Sequence, residues 1–332
     1  MLQDREMTRR QLIKTTAAAC VFATGCTASH HASPTTSTSQ PTTTTSAPAE
    51  RIIDIHQHTT YQGRSNEALL HHQKRMGATQ TMLLPGGSPV ITASTLKGRA
   101  NGLYAGAGTV DTCIPIAKAH PREYYFGANE VPDLPEASER VEKALNEGAV
   151  IIAEVKFSLD VDSPALERYY AIAHEHDVPI LMHFQYNTFN IGYERFGKVL
   201  AKWWRTKFIG HATQFWANID AGLPDQKIGY PKGKVIKPGG LTDRYLSDHE
   251  NFYGDLSAYS GLNALIRDED HTRGFLDRHQ NKLLFGSDCP DPAGFGPTCT
   301  GSNIIKAVRR LSPTKKIERK LLFENANKLF RF

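Results

Sequence analysis

Residues 51–58 read Arg51-Ile52-Ile53-Asp54-Ile55-His56-Gln57-His58, and this stretch decides the predicted fold. Its apolar residues are typical of a buried strand, and two histidines stand at its carboxyl end. Side chains alternate between the faces of a strand, so His56 and His58 are predicted to project from the same face. Two imidazoles on one face can bind a single metal ion. The stretch therefore predicts a strand that carries part of a metal site.

A second His-x-His sequence, His174-Glu175-His176, lies in a helical pattern. Residues i and i+2 of a helix lie on nearly opposite sides, so these two rings cannot share an ion. We predict that His174 and His176 occupy a solvated helix end. With 14 histidines in the chain, such a tripeptide is expected about once by chance, so the strand pair needs support from other segments.

Composition narrows the classes of protein. The chain has 332 residues, 40% hydrophobic and 22% charged, with a net charge of +5, which is typical of an ordinary globular protein. One α/β barrel commonly takes about 250 residues. The small charge excess gives no argument for nucleic-acid binding. No apolar run reaches about 18 residues, so a membrane-spanning helix is not predicted.

The first 26 residues resemble an export signal of the twin-arginine type, with Arg9 and Arg10 ahead of a weakly apolar stretch. Ala23-Thr24-Gly25-Cys26 resembles a lipobox, although lipoboxes usually carry leucine where Ala23 stands. Residues 27–50 are rich in Ser, Thr and Pro and are predicted to form a disordered linker. The leader predicts a periplasmic or cell-surface protein, with a lipid anchor at Cys26 left open. A frayed cytoplasmic N-terminus is the alternative.

From residue 51 onward, short apolar runs alternate with amphipathic stretches, which is typical of βα units around a parallel sheet. Eight strands fit an α/β fold of the (β/α)8 TIM-barrel type better than the alternative, an open doubly wound sheet. The predicted strands are 51–58, 79–84, 124–129, 150–157, 178–184, 206–211, 252–256 and 282–287. The predicted helices are 66–77, 109–119, 135–147, 163–177, 193–203, 241–249, 261–279, 301–311 and 313–330. Residues 222–240 are predicted to form a long loop over the carboxyl-terminal face, where barrel active sites lie.

Metal-binding residue types stand at the carboxyl ends of four predicted strands. These residues are His56, His58, His183, His211 and Asp288. A single histidine at the end of a strand is usually an ordinary core residue. Five such groups at one end of a barrel would be costly to bury without partners, whereas a metal ion satisfies them together.

At this point the sequence resembles the amidohydrolase superfamily, in the amidohydrolase-related branch that includes aminocarboxymuconate-semialdehyde decarboxylase. The resemblance covers residues 51–332. The matching stretches are Asp54-Ile55-His56-Gln57-His58, Pro179-Ile180-Leu181-Met182-His183, Ile209-Gly210-His211, Leu284-Phe285-Gly286-Ser287-Asp288 and Glu324-Asn325-Ala326-Asn327-Lys328-Leu329-Phe330. It implies a distorted barrel of the metallo-dependent hydrolase type with a divalent metal at its mouth. It also implies that His56, His58, His183 and Asp288 are ligands, with His211 beside the metal.

These roles predict a hydrolase. Asp288 would take a proton from a metal-bound water, and His211 would donate to the developing oxyanion. A lactone, ester or amide is the expected small-molecule substrate, cleaved at a C–O or C–N bond. Two alternatives stay open: a non-oxidative decarboxylase acting on a small carboxylate, and a non-catalytic metal-binding lipoprotein.

The metal count and the surrounding groups are less defined. Glu154 and Lys156 alternate along the fourth strand and face one side, so they are candidates for a second metal or for substrate binding, and a buried ion pair is the alternative. One Zn²⁺ is expected, with Mn²⁺, Fe²⁺ or a second ion left open. Loop residues that follow strands are further substrate-contact candidates, and a homo-oligomer stays open. These residues are Tyr61, Arg64, Asn129, Glu130, Trp216 and Tyr259.

Three cysteines follow the leader and linker: Cys113, Cys289 and Cys299. Export would place them in a compartment where disulfides form. Cys289 and Cys299 are close enough in sequence to pair across a loop. Unpaired buried thiols are the alternative.

Overall fold

The computed structural model describes residues 50–99 and 106–332. Eight parallel strands in this part form the α/β barrel that the sequence predicted, each near its predicted position. They are β1 Ile53–Gln57, β2 Gln80–Leu83, β3 Tyr124–Phe126, β4 Ile152–Val155, β5 Ile180–His183, β6 Phe208–His211, β7 Phe252–Asp255 and β8 Leu283–Leu284. The export signal of residues 1–26 and the linker up to residue 49 lie outside the described residues.

Backbone hydrogen bonds close the barrel at two junctions. The regular ladders run β1-β2-β3 and β4-β5-β6-β7-β8. Between β3 and β4, the amide of Ala128 donates to the carbonyl of Ile151 at 2.8 Å. Between β1 and β8, the amide of Ile55 donates to Phe285 O at 3.0 Å and that of Asp288 to His56 O at 2.8 Å. The two sheets are therefore one closed barrel.

Helices surround the strands and follow the predicted order. They are Asn66–Met76, Val110–Ala119, Ala137–Asn146, Pro164–Glu175, Phe196–Lys202, Ala212–Ala217, Leu241–Asp248, Ala258–Arg267, Glu269–Arg278, Thr300–Leu311, Lys315–Arg319 and Asn325–Phe330. The structure also has 3₁₀ turns at Tyr61–Gly63 and Tyr193–Arg195 and a π-helical turn at Lys320–Glu324. Serine N-caps fix the first residues of two helices. The Ser65 hydroxyl accepts a hydrogen bond from the amide of Ala68, and the Ser163 hydroxyl accepts one from the amide of Leu166.

The helices differ from the prediction in detail. The predicted helix 261–279 is two helices that break at Asp268, whose carboxylate caps the second by accepting from His271 N. The predicted helix 313–330 contains the π-helical turn. The short helix Ala212–Ala217 was not predicted. Residues 222–240, predicted as a loop, contain neither helix nor strand.

The core has two layers. Alternate strand residues such as Ile55, Leu181 and Ile209 fill the barrel interior and form one apolar cluster with the C-terminal residues Ala326 and Leu329. A larger cluster packs the outer faces of the strands against the helices. Among the described residues, no helix is both long and apolar enough to cross a bilayer.

Asp54 clamps the junction of β1 and β8, and it is completely buried. Its Oδ1 accepts from the amides of His56 at 3.0 Å and Ser287 at 2.8 Å. Its Oδ2 accepts from Gln73 Nε2 at 2.8 Å and from the Ser287 hydroxyl at 2.5 Å. This carboxylate therefore fixes the ends of the two strands that carry His56, His58 and Asp288.

Candidate metal centre

The β1 histidines are held so that their Nε2 atoms converge. His58 Nδ1 donates to the carbonyl oxygen of Leu84 at 2.7 Å. His56 Nδ1 donates to Asp255 Oδ2 at 2.7 Å. A carbonyl or carboxylate on Nδ1 leaves the Nε2 lone pair for another partner, as in metal-binding histidines. The two Nε2 atoms lie 3.2 Å apart, so both rings face one point, as the strand geometry predicted.

Glu154 of β4 lies at the centre of the cluster. Its Oε2 is 3.5 Å from the Nε2 atoms of both His56 and His58. Its Oε1 accepts from His183 Nδ1 at 2.5 Å and lies 3.8 Å from His211 Nε2. The carboxylate thus touches all four histidines, which places Glu154 among the candidate ligands.

Asp288, in the segment that follows β8, completes the cluster. Its Oδ1 lies 3.8 Å from His56 Nε2 and 3.5 Å from His58 Nε2, and its Oδ2 lies 3.7 Å from His211 Nε2. Within the described part of the chain, the buried Oδ1 atom has no hydrogen-bond partner. Tetrahedral ligands about 2.1 Å from an ion lie about 3.4 Å from one another. The spacing and the unsatisfied oxygen fit a divalent cation.

Asp255 and Ser257 form a second layer that sequence reasoning missed. Asp255 Oδ2 accepts from His56 Nδ1 and lies 3.2 Å from His211 Nδ1. The Ser257 hydroxyl donates to the same oxygen at 2.7 Å, and Trp216 Nε1 donates to the Asp255 carbonyl at 2.9 Å. One buried carboxylate therefore orients two histidines. Its position at the end of β7 was the available signal.

Interactions between the histidines and the carboxylates shift the pKa values of both. Burial lowers the pKa of His56, but Asp288 and Asp255 outweigh it and raise that pKa well above its ordinary value. Burial raises the pKa of Asp288, but His56 and His58 hold it far below its usual range. Burial together with Lys156 lowers the pKa of His183 to about 4. The carboxylates are therefore ionised at neutral pH, and a cation bound here would displace protons from His56.

Lys156 and Arg64 occupy different surroundings. Lys156 is half-buried after β4, with Nζ 5.3 Å from the centre of the Phe189 ring. Arg64 is buried, and its guanidinium donates to Gln57 Oε1 at 2.7 Å and Cys289 O at 2.8 Å. Arg64 therefore braces the segment after β8 against β1, whereas Lys156 is near enough to the centre to affect His183.

The remaining loop candidates fall into two groups. The Tyr61 ring packs on His58 at 4.9 Å between centroids, and Tyr259 packs on Tyr230 at 5.5 Å. Asn129 and Glu130 bind neighbouring loops: Asn129 Nδ2 donates to Glu154 O at 2.9 Å, and Glu130 accepts from Ser88 N at 2.7 Å. Tyr61 thus borders the centre, and Asn129 supports Glu154 through its backbone.

Eight parallel strands that bring four histidines and two carboxylates into contact at one end define a (β/α)8-barrel enzyme with a candidate metal centre. The chain belongs to the amidohydrolase family, whose sequence model matches residues 53–332. It is therefore an enzyme of the amidohydrolase superfamily, as the resemblance implied. A search of curated proteins finds no match.

Solved structures agree on the fold. An uncharacterized TIM-barrel protein from Bordetella bronchiseptica matches with a TM-score of 0.57 at 15% identity, over 85% of this chain and 98% of that one. A probable 2-pyrone-4,6-dicarboxylic acid hydrolase from Acinetobacter baumannii, with citric acid bound, matches with a TM-score of 0.53 at 12% identity. The match covers 85% of this chain and 99% of that one. A 5-carboxyvanillate decarboxylase from Novosphingobium aromaticivorans, complexed with manganese and a nitrobenzoic acid, matches with a TM-score of 0.51 at 13% identity, over 80% of each chain.

Proposed function

We propose that this protein is a metal-dependent hydrolase that cleaves a lactone, ester or amide. The observation that carries the proposal is the Oδ1 atom of Asp288. It is buried and without a hydrogen-bond partner among the described residues, and it faces the Nε2 atoms of His56 and His58. A carboxylate in this position can both hold a cation and accept a proton from a water beside it.

The residues that would hold the ion are His56, His58, His183, Asp288 and, from the structure, Glu154. A divalent ion bound by them supplies a Lewis acid and a water that ionises near neutral pH. Imidazole and carboxylate ligands suit Zn²⁺, with Mn²⁺ or Fe²⁺ as alternatives. Because Glu154 contacts all four histidines, it is also a residue that would help to hold a second ion.

Proton transfer then falls to the chain's own groups. Asp288 accepts the proton of the attacking water and returns it to the leaving group. His211 Nε2 faces Asp288 Oδ2 at 3.7 Å. With protons on both ring nitrogens, the Nε2–H group of His211 would be placed to donate to the oxyanion that develops on the substrate. Asp255 holds the His211 ring by its Nδ1 atom and sets which nitrogen faces the centre.

The second candidate function is a non-oxidative decarboxylase. The specific observation is Lys156, a half-buried cation whose charge acts on His183. An ammonium group beside the centre could hold a substrate carboxylate. The similar structures include enzymes named as a hydrolase and as a decarboxylase, so the reaction needs a direct test.

Turnover in ¹⁸O-labelled water distinguishes the two reactions. If water attacks an acyl carbonyl, the product acid carries the label, which mass spectrometry of the product detects. The substrates to screen are lactones, amides and aromatic carboxylates. An unlabelled product formed with release of carbon dioxide would contradict hydrolysis and establish the lyase.

An exported, lipid-anchored protein is the proposed location, and it rests on Arg9, Arg10 and Cys26 in the leader. We expect the Arg9→Lys/Arg10→Lys variant to stay in the cytoplasm, because the twin-arginine pair is what the export route recognises. Cell fractionation measures this. A variant that is still exported contradicts the twin-arginine assignment, and an unmodified Cys26 in mass spectrometry contradicts the lipid anchor.

A further inference from the structure

A cluster of soft ligands lies outside the histidine–carboxylate centre. His72 is on the helix Asn66–Met76, Cys289 directly follows Asp288, and Cys299 is the N-cap of the helix Thr300–Leu311. All three side chains are completely buried. Cys299 Sγ lies 4.0 Å from Cys289 Sγ and 3.4 Å from His72 Nε2. The helix Asn66–Met76 and the segment 289–299, which are far apart in sequence, thus bring one nitrogen and two sulfurs together.

The orientation of His72 is set by its neighbours. Its Nδ1 donates to Gln73 Oε1 at 2.8 Å. The Gln73 amide cannot be turned the other way, because its Nε2 already donates to Asp54 Oδ2 and to Thr81 Oγ1, both at 2.8 Å. His72 Nε2 therefore faces Cys299 Sγ, which lies 3.4 Å away. A metal-binding histidine usually has this arrangement, with its other ring nitrogen donating to an oxygen.

The sulfur of Cys299 is also placed where a thiolate is favoured. The amide of Ser302 donates to Cys299 Sγ at 3.4 Å, and this amide belongs to the first turn of the helix Thr300–Leu311. Metal ligation requires thiolates, and backbone N–H groups at the start of a helix favour them. Two thiolates and a neutral imidazole around a divalent ion sum to zero charge, which suits a completely buried site.

We propose that His72, Cys289 and Cys299 form a second metal site, separate from the histidine–carboxylate centre, that binds a soft divalent cation such as Zn²⁺. The 3.4 Å and 4.0 Å separations match ligands about 2.1–2.3 Å from one ion. Because Cys289 adjoins Asp288, the ion ties the segment 289–299 to the helix Asn66–Met76 beside the catalytic carboxylate.

Zinc stoichiometry of the full-length protein tests the site. We expect the Cys289→Ser/Cys299→Ser variant to bind one equivalent of Zn²⁺ per chain less than the wild type. The matched control is Cys113→Ser, which changes a third completely buried cysteine whose thiol contacts Thr59. It should retain the wild-type stoichiometry. Equal zinc content in the wild type and the double variant would overturn the proposal.

Two measurements on proteins that keep both Cys289 and Cys299 do not depend on correct folding of the double variant. Wild-type protein loaded with Co²⁺ should show thiolate-to-cobalt charge-transfer absorption in the near ultraviolet, and the Cys113→Ser protein should show it equally. Absence of this absorption would overturn the site. The intact mass of the untreated wild type should correspond to free thiols. A mass lower by two hydrogens, assigned to a Cys289–Cys299 disulfide by peptide mapping without reduction, would also overturn it.

Discussion

The His56→Ala/His58→Ala variant is expected to bind no divalent ion at the histidine–carboxylate centre and to show no turnover. The two Nε2 atoms lie 3.2 Å apart and both face Glu154 and Asp288. The substitutions remove two of the candidate ligands, so the ion has too few ligands to stay bound. They also leave the negative charges of the buried carboxylates without a partner. Metal analysis per chain and activity measure the effect.

The matched control is the His174→Ala/His176→Ala variant, which changes the other His-x-His sequence. His174 is exposed near the end of the helix Pro164–Glu175, and His176 is its C-cap. We expect unchanged metal content and a loss of stability of about 1 kcal/mol or less, as for surface substitutions generally. Metal lost from the helical pair but retained in the strand pair would refute the assigned site.

Asp288→Asn is expected to lower turnover by at least about 10²-fold, the usual scale for loss of a general base. The amide keeps the shape of the carboxylate but loses its charge and its ability to accept the proton. Steady-state kinetics should show the loss mainly in kcat, because proton transfer belongs to the chemical step. Metal analysis of the same variant separates a lost base from a lost ligand.

A nearby carboxylate provides the control for that substitution. Asp291 lies three residues further on, and its carboxylate accepts bonds from the amides of Ala293 and Gly294. Asp291→Asn removes a charge from the same loop without touching the histidines, so activity should stay near the wild-type level. Comparable losses in both variants, or near-full turnover in Asp288→Asn, would show that another group acts as the base.

The strands and their terminal histidines could be predicted because a buried parallel strand is a short apolar run and its last residue is easily identified. The second layer, Asp255 and Ser257, could not be predicted. Asp255 looks like an ordinary polar residue at the end of β7, and only the fold brings it to His56 and His211. Glu154 was recognised as facing inward, but its central position depends on how four strands converge.

The errors in the helices have local causes. The helix Ala212–Ala217 is six residues long and buries five of them, so it shows no amphipathic period. Asp268 breaks the predicted helix because its backbone is extended and its side chain caps the next helix. That break had a visible signal, since Asp followed by acidic residues is typical of a helix start.

The closure of the barrel between β1 and β8 has a consequence for biosynthesis. Asp54 and Ser287, which join these strands, are 233 residues apart in the chain. A ribosome that adds about 5–20 residues each second needs about 10–50 s to pass from the first to the second. During that interval the nascent chain has His56 and His58 but lacks Asp288. The histidine–carboxylate centre is therefore completed only when the last strand emerges, and a chain truncated before β8 would be made without it.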